Sequence, residues 1–149
     1  MPPESLSESA KASQNIDFEE IEHTADWALR IRGRDLPELL LNAAGGMNSL
    51  MASHLDDIPL DVEQQIELEA IDAESLLVDW LSELAYWAEV EGYIFRQIEL
   101  HEVTPTRLRA AVRGGHTSDL TKHIKAVTYH NLEIVETEGG LEATVVFDV

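Results

Sequence analysis

The chain has 149 residues, of which 44% are hydrophobic, and a formal net charge of −19 at pH 7. This size and composition are typical of one globular domain with its own core. The absence of cysteine excludes disulfide bonds, thiolate metal ligands and a cysteine nucleophile. No segment approaches the roughly 18 consecutive apolar residues of a membrane span, and the N-terminus lacks the pattern of a secretion signal. We therefore predict a cytoplasmic protein without membrane contact.

The distribution of charge bears on the kind of partner. A strongly negative protein repels phosphate backbones, which disfavours direct binding of nucleic acid, although acidity also serves solubility alone. Between Val103 and Leu132, however, five basic residues and three histidines occur with one acid, Asp119. These residues are Arg107, Arg109, Arg113, Lys122, Lys125, His116, His123 and His130. Such polarity favours an oriented encounter with a charged partner, and a chance cluster on one hairpin is the alternative.

The first elements are predicted from composition and apolar spacing. Residues 1–15 are rich in serine, glutamate and proline and predict a disordered tail, so that the domain covers residues 16–149. A short strand over residues 16–21 precedes a second strand over 26–33, where apolar and polar residues alternate. Apolar residues at helical spacing then predict a helix over 36–51.

The start of this helix has a capping signal. Asp35 can accept hydrogen bonds from free backbone N–H groups, Pro37 suits the first turn, and Glu38 stands at the capping-box position. Gly45 and Gly46 interrupt the helix at a cost of about 1 kcal/mol each relative to alanine. Close packing against another element would offset that cost.

The second half of the chain adds one helix and five strands. A strand over 62–70 is followed by a helix over 73–91, which Asp72 caps. Four more strands are predicted, with a long polar loop at 114–123. These strands cover residues 93–103, 107–113, 125–135 and 141–149. The order of elements predicts an α+β fold with two helices packed on antiparallel β-sheet.

Two aspartates stand where strands begin or end. Asp26 opens the strand over 26–33, where its desolvation requires a helix N-terminus, a basic side chain or a cation. Asp148 precedes the last residue, Val149, so that its carboxylate and the terminal carboxylate repel each other. A hard cation such as Ca²⁺ or Mg²⁺ would satisfy these oxygens. A structural cap at Asp26 and a solvated strand end at Asp148 are the alternatives.

The sequence contains no self-contained catalytic constellation. His23 could be a ligand, a base, or a core histidine bonded to the backbone. No two histidines have the spacing of a zinc site, no glycine-rich phosphate loop is present, and no serine lies in a nucleophile-elbow pattern. We therefore predict that the protein is not an enzyme.

Four stretches, in order along the chain, resemble one known family. They are "HTAD" (23–26), "DAESLLVDWLSELAYWAEVEGYIF" (72–95), "KHIKAVTYHNLEI" (122–134) and "VVFDV" (145–149). Together they resemble the archease family, and the resemblance extends from about Phe18 to Val149. The collinear order makes the resemblance specific, and the N-terminal tail lies outside it.

The resemblance implies both a fold and a function. The implied fold is a strand-helix-strand-strand module with a second such module inserted into it. The implied function is that of a chaperone-like activator of an RtcB-type RNA-splicing ligase, which acts in tRNA splicing. That ligase joins RNA ends carrying a 2′,3′-cyclic phosphate or a 3′-phosphate to a 5′-hydroxyl. The activator promotes guanylylation of the ligase by GTP and its multiple turnover, and meets tRNA only through the ligase.

The resemblance also implies site residues. Asp26, Asp148 and Val149 correspond to the family's metal ligands, with Ca²⁺ preferred and Mg²⁺ or Mn²⁺ as alternatives. His23, three residues before Asp26, is a candidate to support these ligands. The residues predicted to face the partner are Lys125, which belongs to the family's functional tip, and Lys122, His123 and His130 of the same basic segment.

Two other functions remain open from the sequence. A metal-dependent hydrolase would use a cation at Asp26 and Asp148 to activate water, and the lack of a clear base or nucleophile counts against it. A chaperone or adaptor for other RNA-modifying enzymes, such as a methyltransferase, would share the same surface but a different partner.

Overall fold

The computed structural model describes residues 17–22 and 26–149. The tail predicted over residues 1–15 and the candidate ligand His23 lie outside the described residues. Within the described ranges, no helix combines the length and the apolar character needed to cross a membrane.

The strands form two antiparallel sheets. The larger sheet contains β1 (Phe18–Glu22), β2 (Asp26–Gly33), β6 (Ala126–Thr128), β7 (Val135–Thr137) and β8 (Gly140–Asp148). The smaller sheet contains β3 (Val62–Glu69), β4 (Tyr93–Thr104) and β5 (Arg107–His116). The larger sheet has the order β1-β2-β8-β6, with β7 also paired to β8, and the smaller sheet has the order β3-β5-β4.

Two α-helices, α1 (Leu36–Met51) and α2 (Ala73–Tyr86), pack against these sheets. A single π-helical turn, Trp87–Glu91, continues α2, and a short 3-10 helix, Leu55–Asp57, follows α1. Because β3, α2, β4 and β5 are consecutive in the chain, the smaller sheet and its helix form the inserted strand-helix-strand-strand module. The predicted α+β fold with two helices on antiparallel sheet is confirmed.

Both helices begin at the predicted caps. The Asp35 carboxylate accepts a hydrogen bond from the Glu38 backbone N–H at 3.0 Å. The Asp72 carboxylate accepts one from the Ser75 backbone N–H at 2.8 Å. Each cap satisfies a backbone donor that the first helical turn leaves free.

The core lies between the helices and the inner faces of the sheets. The indole N–H of the fully buried Trp80 donates to the Leu40 carbonyl at 2.9 Å and joins α2 to α1. The side-chain amide of the buried Asn48 donates to the Phe95 carbonyl at 2.9 Å and joins α1 to the smaller sheet. These bonds satisfy polar groups that would otherwise be costly to bury.

One of the two glycines in α1 has the predicted packing role. A Cβ atom at Gly46 would lie 2.9 Å from Cγ of Phe18 and 3.1 Å from Cδ1 of Leu29. Any larger residue at this position would require Phe18 and Leu29 to shift, so glycine favours the close approach of the helix to β1 and β2. A Cβ atom at Gly45 would meet open space, so the packing argument applies to Gly46 alone.

The strand predicted over residues 125–135 is wrong in its extent. Strand β6 ends at Thr128 and β7 begins at Val135, with a turn between them. Asn131 has a φ of 51° in this turn, a left-handed conformation that asparagine tolerates better than most residues. A single asparagine thus interrupts an alternating pattern that otherwise favours one long strand.

The loop predicted over residues 114–123 begins later than expected. Strand β5 continues through Gly114 and Gly115 to His116. A Cβ atom at Gly114 would overlap the carbonyl oxygen of Ile94 on β4. The glycines therefore permit close strand pairing here instead of forming a turn.

Candidate functional site

Asp26 and Asp148 lie directly opposite each other at one rim of the larger sheet. Asp26 opens β2, Asp148 ends β8, and the two are cross-strand partners in the antiparallel register. The next pair, Trp27 and Phe147, contacts the core. Because successive side chains alternate between the faces of a strand, both aspartates belong to the face away from the core. Directly opposite residues typically place their Cβ atoms about 4.5–5.5 Å apart.

The carboxylates of this pair form no ion pair within the described residues, although Lys122 and Lys125 lie in the adjoining segment. Asp148 is exposed and Asp26 is half-buried. No lysine, arginine or histidine in the described ranges forms an ion pair with either carboxylate. Like charges directly opposite each other on a sheet are destabilising. The arrangement therefore favours binding of a cation from solution.

The donor chemistry of this rim fits a hard divalent cation. Two aspartate carboxylates are joined there by Val149, which is half-buried and packs against the core. All of these donors are oxygens, which suit Ca²⁺, Mg²⁺ and Mn²⁺ rather than softer metals. In the described part of the chain, this rim included, no group of three or more histidine, cysteine, aspartate or glutamate side chains could hold a metal.

The segment 121–125 connects the C-terminal end of α1 to this rim. At its start, the backbone N–H of Thr121 donates to the Met51 carbonyl at 2.7 Å. At its end, the backbone N–H of Lys125 donates to the Asp148 carbonyl at 2.7 Å. The segment is thus held at both ends, and its position is linked to the strand that carries Asp148.

The two predicted interface lysines have different surroundings. The Lys122 ammonium lies 3.8 Å from the centroid of the Trp27 ring. Both side chains are half-buried, and such a cation–π contact is worth about 0.5–2 kcal/mol. Lys125 is exposed. Sequence reasoning missed the role of Trp27, because nothing in the spacing of residues 27 and 122 indicates that they meet.

The two predicted interface histidines lie in different places. Nδ1 of His123 lies 2.9 Å from Oε2 of Glu89 in the π-helical turn, so His123 joins the basic segment to the end of α2. His130 lies in the exposed turn after β6, where its backbone N–H donates to the Thr128 hydroxyl at 3.3 Å. Glu74 holds the far side of this turn, since its carboxylate accepts the Ile134 backbone N–H at 3.0 Å.

The register therefore brings together part of the predicted site. Asp26, Asp148 and Val149 share one rim with the start of β6, since Ala126 is the other cross-strand partner of Asp148. The fold and this rim define a small α+β protein that presents paired carboxylates beside a basic segment.

Comparison with known proteins assigns the chain to a family. Residues 18–149 match the model of the Archease protein family (MTH1598/TM1083). The chain is 36% identical over 146 residues to Protein archease of Methanosarcina barkeri, covering 93% of this chain and 99% of that protein. It is 32% identical over 151 residues to Protein archease-like of Dictyostelium discoideum, covering 95% and 99%.

Solved structures give the same assignment. Protein 1598 of Methanobacterium thermoautotrophicum superposes with a TM-score of 0.72 at 28% identity, covering 89% of this chain and 99% of that one. An archease of Thermotoga maritima, described as a possible chaperone, superposes with a TM-score of 0.60 at 27% identity, covering 87% and 94%. The chain belongs to the archease family.

Proposed function

We propose that this chain activates an RtcB-type RNA-splicing ligase and does not itself catalyse ligation. Family membership over residues 18–149 supports the proposal. The observation that carries it is the register of Asp26 opposite Asp148, with the backbone N–H of Lys125 donating to the backbone carbonyl of the same Asp148. This arrangement couples a carboxylate pair to an exposed basic side chain, which is suited to a partner that handles phosphate and metal.

The proposed metal ligands are Asp26, Asp148 and Val149. Their oxygens would hold a divalent cation, with Ca²⁺ preferred and Mg²⁺ or Mn²⁺ as alternatives. When bound, the cation would supply positive charge between the carboxylates and a Lewis-acidic surface for the partner. The chain's own contribution is to orient the carboxylates at the sheet rim and to hold Lys125 beside them.

The proposed partner surface is the segment that contains Lys122, His123 and Lys125, with His130 in the following turn. Lys125 is free to meet phosphate or acidic metal ligands of the ligase. With a net charge of −19, the protein would meet RNA only through the ligase. Activation is then a shift in the ligase population towards the conformation that accepts guanylylation, because the activator binds that conformation better.

A multiple-turnover ligation assay tests the proposal. The cognate ligase is kept well below the concentration of RNA, with GTP and Mn²⁺, and product is followed with and without this protein. We expect the ligase alone to stop after about one turnover per molecule and to continue when the protein is added. We expect Asp26→Ala, Asp148→Ala and Lys125→Ala each to reduce the number of turnovers.

A control variant separates loss of the site from loss of the fold. Arg109→Gln changes an exposed residue of the smaller sheet and should stimulate like the wild type. Equal turnover with and without the wild-type protein would contradict the proposal. Turnover of phosphoesters by the pure protein would favour the metal-dependent hydrolase instead, and recovery of a methyltransferase rather than the ligase would favour the broader adaptor.

A further inference from the structure

A groove of about 480 Å³ lies between the end of α2 and the start of β6. The helix and the π-helical turn line one side with Tyr86 and Val90, and residues 123–127 line the other. The lining is mostly apolar, since it includes Ala85, Ile124 and Val127 besides Tyr86 and Val90. Apolar concave surfaces of this kind are typical of binding sites for apolar groups.

Tyr86 and Val90 are unusual among the large apolar residues in this helical region. Their exposed fractions are 53% and 58%, whereas Trp80, Leu81 and Leu84 of the same helix are buried. The Tyr86 ring also contacts Trp87 edge-to-face, with ring centroids 6.0 Å apart. A ring that is already ordered loses little conformational entropy when a partner covers it. These features indicate a docking surface rather than an incidental apolar residue.

The charges at the groove indicate the chemistry of the occupant. Glu89 is engaged by His123 at 2.9 Å, so the one carboxylate in the lining has a partner. Lys125 is exposed at the groove and forms no ion pair with any carboxylate of the described residues. The exposed ammonium of Lys125 beside an apolar lining is complementary to a partner that carries apolar side chains and one carboxylate. This pattern belongs to a protein segment rather than to a nucleic acid.

The groove lies beside the end of the strand that carries Asp148, and it is linked to Asp148 through the backbone. Lys125 and Ala126 line the groove, and the same two residues contact Asp148 through a backbone hydrogen bond and through cross-strand pairing. A segment seated in the groove would therefore end next to Asp148. Docking there would hold the rim against the partner in one orientation.

We propose that this groove binds a segment of the ligase that carries two apolar side chains and a carboxylate. The apolar side chains cover Tyr86 and Val90, and the carboxylate pairs with Lys125. This inference rests on the proposed function and adds a second contact to it, because Tyr86 and Val90 take no part in the proposed metal site. The groove supplies affinity, whereas the rim supplies the activating contact.

The first test measures the affinity between the full chain and the full cognate ligase by calorimetry. Val90→Asp introduces a charge into the groove, and we expect it to weaken binding by about tenfold or more, as for a central interface residue. Ile71→Asp is the matched control, since Ile71 is 87% exposed and does not line the groove. We expect Ile71→Asp to bind like the wild type. Thermal unfolding of both variants verifies that they are folded. Tyr86→Ser is a second groove variant, and we expect it to weaken binding as well.

The ligation assay distinguishes docking from activation. If the groove supplies affinity alone, turnover with Val90→Asp should recover when the variant is added at high concentration. Turnover with Asp148→Ala should stay low at every concentration. Failure of Val90→Asp to recover would overturn the division between groove and rim.

Other outcomes overturn the inference in separate ways. Equal ligase affinity for wild type, Val90→Asp and Tyr86→Ser would show that the groove does not bind the ligase. The proposed function would be unaffected. If the wild type did not bind the ligase, both the groove proposal and the proposed function would be wrong. A dimer in light scattering that Val90→Asp dissociates, with unchanged ligase affinity, would assign the groove to a second copy of this chain.

Discussion

The exposed face of the smaller sheet and the rim of the larger sheet treat charge in opposite ways, although the larger sheet also carries compensated pairs away from the rim, such as Arg30 with Glu19. On the exposed face of the smaller sheet, Arg109 of β5 lies in register between Glu67 of β3 and Glu102 of β4, and its Nε is 3.8 Å from the Glu102 carboxylate. At the rim of the larger sheet, Asp26 lies in register opposite Asp148. The strands are antiparallel in both places, although a register shift in β4 adjoins Glu102, and the signs of the paired charges differ.

If the proposed function holds, this difference separates charge that stabilises the fold from charge that binds a ligand. Opposite charges across a strand pair contribute roughly 0.2–1 kcal/mol, and like charges directly opposite each other are destabilising. The smaller sheet uses the favourable choice for its own stability. The unfavourable choice at Asp26 and Asp148 gains nothing for the fold by itself, so it points to a partner that the chain does not supply.

The largest expected effect tests whether that partner is a metal. Adding Ca²⁺ or Mn²⁺ at about 100 times its dissociation constant should raise the free energy of unfolding by about 2.7 kcal/mol, because the ion binds only the folded chain. The double variant Asp26→Asn, Asp148→Asn should lose this response. Urea unfolding with metal and with a chelator measures both.

The smaller sheet provides the matched control for this measurement. Arg109→Gln removes a compensated charge and should lower stability by roughly 0.2–1 kcal/mol while retaining the full metal response. A double-asparagine variant that still responds to metal would assign the binding to other residues. The comparison between the two sheets would then carry no information about function.

A smaller effect is expected when the rim is given the charge pattern of the smaller sheet. Asp148→Lys places an opposite charge across from Asp26, and in the presence of chelator it should stabilise the chain by roughly 0.2–1 kcal/mol. The same variant should lose both the metal response and the stimulation of the ligase. The measurement is the urea midpoint at unchanged slope, beside the ligation assay. A variant that is destabilised in chelator would contradict the repulsion between Asp26 and Asp148.

Some of these features were predictable because they depend on local chemistry. The caps at Asp35 and Asp72 follow from residue types at fixed offsets, and the alternation of Trp27, Leu29 and Ile31 follows from the two faces of a strand. The importance of Asp26 also follows locally, since a carboxylate at a strand start requires a partner. Its pairing with Asp148 was accessible only through resemblance to a family.

The features that could not be predicted depend on contacts distant in the chain. Trp27 meets Lys122, and Glu89 meets His123, across separations that no periodicity encodes. The groove exists because the end of α2 and the start of β6 come together. The turn after β6 likewise depends on a distant residue. Asn131 adopts its left-handed conformation, and the Ile134 backbone N–H donates to Glu74, 60 residues earlier in the chain.

The smallest expected effect concerns a carboxylate that the backbone compensates. Hydrogen bonds from the backbone N–H and the side chain of Ser75 lower the pKa of Asp72 below its usual value of 3.8. Because the folded-state pKa is lower than the unfolded one, the ionised cap stabilises the fold fully above the unfolded pKa. This stabilisation is lost as the pH falls through the folded pKa.

Asp72→Asn isolates that contribution. Asparagine also caps helices well but does not titrate, so the variant should match the wild type closely at neutral pH. Below pH 3.8 the wild type should lose slightly more stability than the variant, because only its cap is protonated. Urea midpoints of the two proteins, measured side by side across this range, cancel the titration of all other carboxylates. An identical acid response would mean that the Ser75 hydrogen bonds do not discriminate between the charged and neutral cap. In that case the backbone N–H group at Asp72 would not stabilise the charged carboxylate over the neutral one. The contrast between Asp72 and the pair at Asp26 and Asp148 would then be reduced to one charge against two.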